Sequence, residues 1–395
     1  MIKRIGLKNF KCFETYCFDL KKINLLTGYN GRGKSSLLQS ILMLSQSIRK
    51  DKNIEKLHLT GEFVYLGDFD EILYDDKNIY LDFHFELDDP QCKEVDITYT
   101  LSGEDFKIGI ISGCKINNED YFDTVGKNEN GETENTTKKE FSKPIPQGLL
   151  NQFKFVHFIS ANRLGPVKYV EKMEVPDFHS VGTDGAFTIN TLATFKEKVS
   201  QKMNINQSDS KEYSLQDSVS SWMDYIMTGG EISVQGDAPD KKNTVLSLSF
   251  GIDKDGKRTF QSYNVGFGYS YILSIVVSAL IAKKDSILIV ENPEAHLHPM
   301  AQSRITELLS KTAEKDVQIF VETHSEHILN GFRLCALRDN FNISNTDLSI
   351  NFFKEDFKIS PLEIQENGRI PNWPEGFFDQ QERDLVEIMR LGAGK

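Results

Sequence analysis

Residues 28 to 36 read GYNGRGKSS, after KINLL and before LLQSILML, and no other stretch constrains the fold as tightly. Ile23 to Leu26 form a β-branched and leucine run, and Leu37, Leu38, Ile41, Leu42 and Leu44 recur at helical spacing. The order is therefore strand, glycine loop, helix. Gly28, Gly33, Lys34 and Ser35 fit the pattern G-x-x-x-x-G-K-[ST]. In that pattern backbone N–H groups cradle phosphates, the lysine reaches the β and γ oxygens, and the serine ligates Mg²⁺. The helix adds the positive end of its dipole to the same phosphates. The loop is expected to hold a nucleoside triphosphate, with Asn30, Gly31 and Ser36 completing its contacts. No N-K-x-D guanine reader is present, so ATP is the expected nucleotide.

A second half of the site is required, because an NTPase needs a carboxylate at the end of a neighbouring strand for Mg²⁺ and a group that positions water. SILIVENPEAHLHP supplies two candidates: Glu291 at the tip of an apolar run and Glu294 in the turn after it. Arg163, in ISANRLGP, follows a buried-strand pattern and suits either a charge on the nucleotide or a surface salt bridge. Asp68 and Asp70 in YLGDFDEIL are weaker candidates for a metal-sensing loop, with a solvated turn as the alternative.

Composition narrows the class. With 395 residues, 39% of them hydrophobic, the chain has material for two or three domains and a sizeable core. The apolar stretch 271 to 282 is too short and too rich in serine to span a bilayer, and the opening MIKRIGLKNF reads as a strand rather than a leader, so a cytoplasmic protein without membrane attachment is expected. The five cysteines are odd in number and contain no C-x-x-C pair, which indicates neither a disulfide framework nor a zinc ribbon. A net charge of −12 argues against a broad nucleic-acid face. Lys3, Arg4, Lys8, Lys11, Lys21 and Lys22 could line a local groove or a solvated edge hairpin.

Five segments are expected: an N-terminal lobe with phosphate loop and antiparallel sheet (1–114), a polar flexible insertion (115–146), a middle region of helical insertion and strands (147–263), a C-terminal lobe (264–335) and a C-terminal segment (336–395). Residues 61 to 112 alternate in the manner of an antiparallel sheet, through Phe63, Val64 and Tyr65, then Leu81, Phe83 and Phe85, then Ile97, Tyr99 and Leu101.

Taken together, GYNGRGKSS, NVGFGYSYILS (264–274), ILIVENPEAHLHP and IFVETHSEHILN (319–330) resemble the ABC-type ATPase heads of the SMC, RecF and OLD-like group, several of which serve bacterial anti-phage defence. The opening IKRIGLKNFKCFE resembles the first strand of those heads, and PNWPEGFFDQQERDL resembles a tail of a stand-alone subgroup without nuclease. The resemblance implies an α/β P-loop NTPase of the ABC/SMC head type, with an antiparallel β subdomain and a helical insertion. It implies that Gly266, Gly268 and Ser270 stand in for the ABC signature that reaches a partner's γ-phosphate, on a helix capped by Asn264 or Ser270. It implies also that His324 is the switch histidine, and that two heads sandwich ATP as a homodimer. Where such heads carry Asp-Glu this chain has Glu291-Asn292, so Glu291 is assigned to Mg²⁺ and Glu294 to the water, with a slow ATPase positioned by Asn292 as the alternative. Zinc binding by His296, His298, His324 and His327 is not expected, since His296 and His298 straddle Leu297 in a turn. The functions implied are an ATP-hydrolysing switch that controls a separate effector such as a nuclease, or a RecF-like ATPase that binds DNA directly.

Overall fold

Alternating burial builds the first sheet. The chain opens with β1 (Ile2–Phe10) and β2 (Phe13–Asp19), and then β3 (Ile23–Gly28) leads through the glycine loop into α1 (Lys34–Asp51). β4 (Lys56–His58), β5 (Tyr80–Leu87), β6 (Glu94–Leu101), β7 (Ile108–Ile116) and β8 (Glu119–Asp120) follow. The computed structural model describes residues 1–75, 77–103, 105–122, 141–173, 180–195, 213–236, 245–251 and 258–393. Two compact units are assembled from discontinuous segments: Met1–Lys21, Gly33–Val156 and Asp285–Ile287 in the first, and Lys22–Arg32, His157–Lys284 and Leu288–Lys395 in the second.

In the first unit the strands run β2-β1-β5-β6-β7-β4, with β8 on β7, and every pairing is antiparallel. Leu81, Phe83 and Phe85 of β5 and Ile97 and Tyr99 of β6 fill one face, as the period-two pattern predicts. Phe63 to Tyr65 do not join that sheet. The buried Gln46 of α1 accepts from Phe63 N and Val64 N at 3.1 and 3.0 Å, so a side chain satisfies the backbone where a strand partner was expected. The expected insertion 115–146 is ordered at its ends: β7 continues to Ile116, β8 pairs with it, and Phe122 bridges Phe141 with rings 5.3 Å apart. Residues 123–140 lie outside the described set.

Then come α2 (Gln147–Lys154), β9 (Val156–Ile159), β10 (Val170–Glu171), α3 (Thr188–Phe195), α4 (Leu215–Met227), β11 (Glu231–Gln235), β12 (Val245–Gly251) and β13 (Thr259–Gln261). β10, β12 and β11 form a small antiparallel sheet in that order, with β13 on β12. The chain finishes with α5 (Phe267–Ile281), β14 (Ile287–Glu291), α6 (Pro299–Ala313), β15 (Gln318–Glu322), α7 (Glu326–Leu337), β16 (Leu348–Phe353), β17 (Ile359–Leu362) and α8 (Gln380–Ala393).

The second unit is organised by a sheet of order β17-β16-β3-β15-β14-β9. β3 is parallel to both β15 and β16, and its core residues Ile23, Leu25 and Leu26 are buried, as are Ile319 to Val321 and Ile350 to Phe353. Continuous apolar runs are what a sheet covered on both faces requires. Apolar α5 is buried nearly all round, and Trp222 and Met223 of α4 and Leu308 and Leu309 of α6 share its core. In contrast, α8 has no buried residue and leaves Val386, Ile388, Met389 and Leu391 more than 60% exposed. No helix among the described residues is long and apolar enough to cross a membrane.

The tightest packing in the sheet is at Gly28, whose φ is +118° and where a Cβ would lie 2.2 Å from the carbonyl oxygen of Phe353. Gly28→Ala must both strain its backbone and part β3 from β16, and it should destabilise the protein by about 2 kcal/mol or more. Urea unfolding of purified protein measures this, and an unchanged midpoint would contradict the packing.

Candidate functional site

The phosphate loop is shaped by backbone contacts at its two ends. At its start, Tyr29 N donates to Phe353 O at 2.9 Å, and Arg32 Nε donates to Glu355 O at 2.8 Å while its guanidinium lies 4.4 Å from the centre of the Phe357 ring. The C-terminal segment also reaches the start of the loop, because a Cβ at Gly376 would sit 2.7 Å from Tyr29 Oη, and Phe377 packs on Phe352 with ring centres 5.2 Å apart. At the far end of the loop Gly33 is the N-cap of α1 at φ +104°, where a Cβ would come within 2.7 Å of Cys12 Sγ and 2.8 Å of Phe13 Cζ. No side-chain hydrogen bond caps α1 at Gly33, and its first turn holds no acidic residue, as suits a helix start that meets an anion. Lys34, in that first turn, is 3% exposed.

The acidic turn after β14 is tied from several sides. Asn292 N donates to Glu322 O at 2.8 Å, and Ala295 N donates back to Asn292 O at 3.1 Å. Asn292 has φ +44° and His296 φ +61°, both left-handed. Asparagine tolerates that region better than glutamate does, which gives a local reason why Asn stands at position 292. Glu291 accepts from Ala161 N at 2.9 Å. Burial raises its pKa above the ordinary value of 4.5, a shift opposed by the Ala161 N–H and by the charge of Arg163. Glu294 Oε2 accepts from Thr323 Oγ1 at 2.8 Å, and its Oε1 accepts from His324 N at 2.7 Å. Thr323 N in turn donates to Leu26 O of β3 at 3.0 Å. One carboxylate thus joins the acidic turn, the residues after β15 and the phosphate-loop strand. His324 is exposed at this junction.

Arg163 has a different environment from a nucleotide contact or a surface salt bridge. It is 4% exposed, and its Nη1 and Nη2 donate to Glu291 O and Asn292 O, each at 2.7 Å. The guanidinium ties down the backbone of the acidic turn, and burial lowers its pKa to about 10. Burial in the sequence was legible as a strand before it, but nothing local marks an arginine whose partners are carbonyls 128 and 129 residues away.

The helix start at 264–270 corrects the expected cap. Asn264 lies in a short 3₁₀ turn (Ser262–Asn264), and Gly266 is the N-cap of α5 with no side-chain hydrogen bond and no acid in the first turn. Ser270 sits in the helix rather than at its cap, and its hydroxyl oxygen is buried without a hydrogen-bond partner. The two glycines also part company. A Cβ at Gly266 would meet nothing within 4 Å, whereas one at Gly268 would lie 2.7 Å from His296 O. Gly268 is therefore explained by packing on the acidic turn, and Gly266 by an open helix start. Sequence reasoning missed Thr323 and Tyr271; the first could be read from VETHS, while an aromatic residue in an apolar helix carries no signal of its own. His298 is the N-cap of α6, its Nδ1 accepting from Met300 N, and the described residues contain no cluster of three metal-ligating side chains.

Glu291 also makes a stability prediction. A carboxyl whose pKa is raised on folding contributes stability that is present below its unfolded pKa and is lost as pH rises through the folded value. Glu291→Gln should therefore raise the Tm of the nucleotide-free, Mg²⁺-free protein at pH 7.5, and the gain should vanish as pH falls toward the ordinary carboxylate range. Scanning calorimetry across pH tests the sign, and a variant less stable than wild type at neutral pH would show that the ionised form is the favoured one.

Residues 23–330 match the family described as AAA domain, putative AbiEii toxin, Type IV TA system, and residues 343–388 match a family of unknown function, DUF3696. The DNA replication and repair protein RecF of Clostridioides difficile (strain 630) is 36% identical over 69 residues, covering 17% of this chain and 19% of that protein. The OLD nuclease of Thermus scotoductus (strain ATCC 700910 / SA-01) is 22% identical over 351 residues, covering 86% of this chain and 61% of that protein. The chain thus spans less than two thirds of the length of either curated relative. Among solved structures, an SMC head bound to the C-winged helix domain of ScpA superposes with a TM-score of 0.49 at 12% identity, over 92% of this chain and 98% of that one. With more than half of its length matched, and with a glycine loop between β3 and α1 in an α/β P-loop fold, the chain belongs to the family described as AAA domain, putative AbiEii toxin, Type IV TA system.

Proposed function

We propose that the protein is a dimeric ATP-hydrolysing switch that controls a separate effector, a nuclease, in bacterial anti-phage defence in the cytoplasm. The observation that carries the reading is that α1 and α5 both begin on glycine N-caps without a side-chain cap and without acids in their first turns. Two helix starts of this kind suit the phosphates of one nucleotide held between two copies. In this reading Asn30, Gly31, Gly33, Lys34, Ser35 and Ser36 hold ATP, and Ser35 and Glu291 hold Mg²⁺. Glu294 orients the attacking water, His324 meets the γ-phosphate, and the Gly266 amides come from the second copy. Mg²⁺ would supply charge neutralisation between the phosphates. The defence setting is supported by the family's description and by the nuclease among the relatives. A RecF-like role in direct DNA binding needs a free cationic face. Lys3, Arg4 and Lys8 are instead paired with Asp88, Asp19, Glu86 and Asp82 at 2.6 to 3.3 Å, which favours the switch.

Complementation tests the composite site. Gly266→Asp places a side chain in open space at an ordinary backbone conformation, and aspartate is a favourable N-cap, so the fold should hold while the helix start is occupied. Lys34→Ala and Gly266→Asp should each abolish turnover alone, and an equal mixture should recover about a quarter of wild-type activity, since half the dimers are mixed and each has one working site. A mixture that stays inactive although mixed dimers form would refute the composite site. Glu294→Gln should bind ATP but turn it over at least ~100-fold more slowly, and wild-type turnover would move the water to Glu291 or Asn292. In cells carrying the gene with its neighbours, phage plaque counts should fall with wild type and recover with Lys34→Ala; equal counts would argue against the defence role.

A further inference from the structure

The first turn of α5 and the acidic turn are joined by a set of contacts that neither the family nor the expected site accounts for. Arg163 grips two consecutive carbonyls, Glu291 O and Asn292 O, through separate nitrogens, and Nη1 also donates to Ser160 O at 3.2 Å. The guanidinium lies 5.2 Å from the centre of the Tyr271 ring, in the second turn of α5. The Tyr271 ring meets that of His296 edge-on, with centres 4.7 Å apart and planes at 75°. His296 in turn lies 5.6 Å from the ring of Phe267, the first residue of α5 and 55% exposed. The carbonyl of His296 closes on Gly268, where no Cβ would fit.

Every element in this loop of contacts has little room to move independently. The acidic turn is left-handed at Asn292 and at His296, conformations that persist only when surrounding contacts enforce them. A charged donor to a carbonyl at 2.7 Å is among the stronger hydrogen bonds in a buried setting. A guanidinium over an aromatic face adds electrostatic attraction, and lysine reproduces neither the paired donors nor the planar cation. Tyr271 and His296 thus link the α5 start by direct contacts to Arg163 and the backbone that carries Glu291.

We propose that Arg163, Tyr271 and His296 form a relay that couples the position of the first turn of α5 to the acidic turn, with Arg163 and Tyr271 as positioning residues for hydrolysis. The functional consequence rests on the ATPase reading above, in which the α5 start meets a second copy's nucleotide. Engagement of that nucleotide in one place would then set the geometry of Glu291 in another, so that ATP is turned over only when the α5 start is occupied.

The relay is tested by hydrogen exchange on the nucleotide-free protein and by steady-state kinetics of the same variants. Tyr271→Leu should speed amide exchange across residues 291–298 about threefold or more and lower kcat about tenfold with the KM for ATP within about twofold of wild type. Tyr271→Phe, which keeps the ring, should restore both, and His296→Ala, at an exposed position that cannot unfold the core, should act in the same direction as Tyr271→Leu. Unchanged exchange over 291–298 in both Tyr271→Leu and His296→Ala overturns the relay, as does a change in KM alone. If the wild-type protein hydrolyses no ATP the proposed function fails, and the exchange result still decides the relay.

Discussion

Parallel pairing of β3 with β15 on one side and β16 on the other is the constraint on which the second unit depends. Parallel neighbours end at the same edge of a sheet, so Gly28, the residues after Glu322 and Phe353 emerge side by side. The order β16-β3-β15-β14 then puts the glycine loop, the threonine and histidine after β15 and the carboxylates after β14 along one edge. The hydrogen bonds from Thr323 to Leu26 O and to Glu294 are a direct product of that alignment. None of these groups needs a long excursion of the backbone to reach its place, which is why a short turn such as 291–297 can contact the residues after β15 directly.

Electrostatics at the acidic turn oppose stability. Glu291 is held where burial disfavours its charge, and Arg163 is buried with its cation facing carbonyl oxygens rather than a carboxylate. A single carbonyl dipole compensates less well than an anion does, so two short bonds and an aromatic face share the task. The exposed cations of β1, by contrast, are each met by acids across the sheet and carry no comparable demand.

What could be read in the sequence was local. GYNGRGKSS announced itself because a phosphate loop is a contiguous object bounded by a strand and a helix, and SILIVE ended in a carboxylate for the same reason. The alternation of β5 and β6 was equally legible. What stayed hidden depended on partners far along the chain. Gln46 replaced a strand partner for Phe63 and Val64, the partners of Arg163 were carbonyls, and the cap of α5 was a bare glycine where Asn264 and Ser270 offered side chains. The pattern at 264–270 identified a helix start correctly but misplaced its cap, because the helix phase that puts Gly266 at the N-cap and Ser270 inside α5 is set by a core that no heptapeptide displays.

The place of β3 in its sheet also shapes how the chain is made. The strand is synthesised well before its two neighbours, β15 and β16, which lie roughly 300 residues downstream. The antiparallel sheet of the first unit can close its hydrogen bonds from segments within residues 2–120, so it can fold while synthesis continues. β3 has to wait, an apolar strand without its neighbours, until β15 and β16 have been translated. The glycine loop is therefore made long before the strands that shape it, and a nascent chain stalled before residue 348 would carry the loop without the β16 backbone that holds Gly28 and Tyr29.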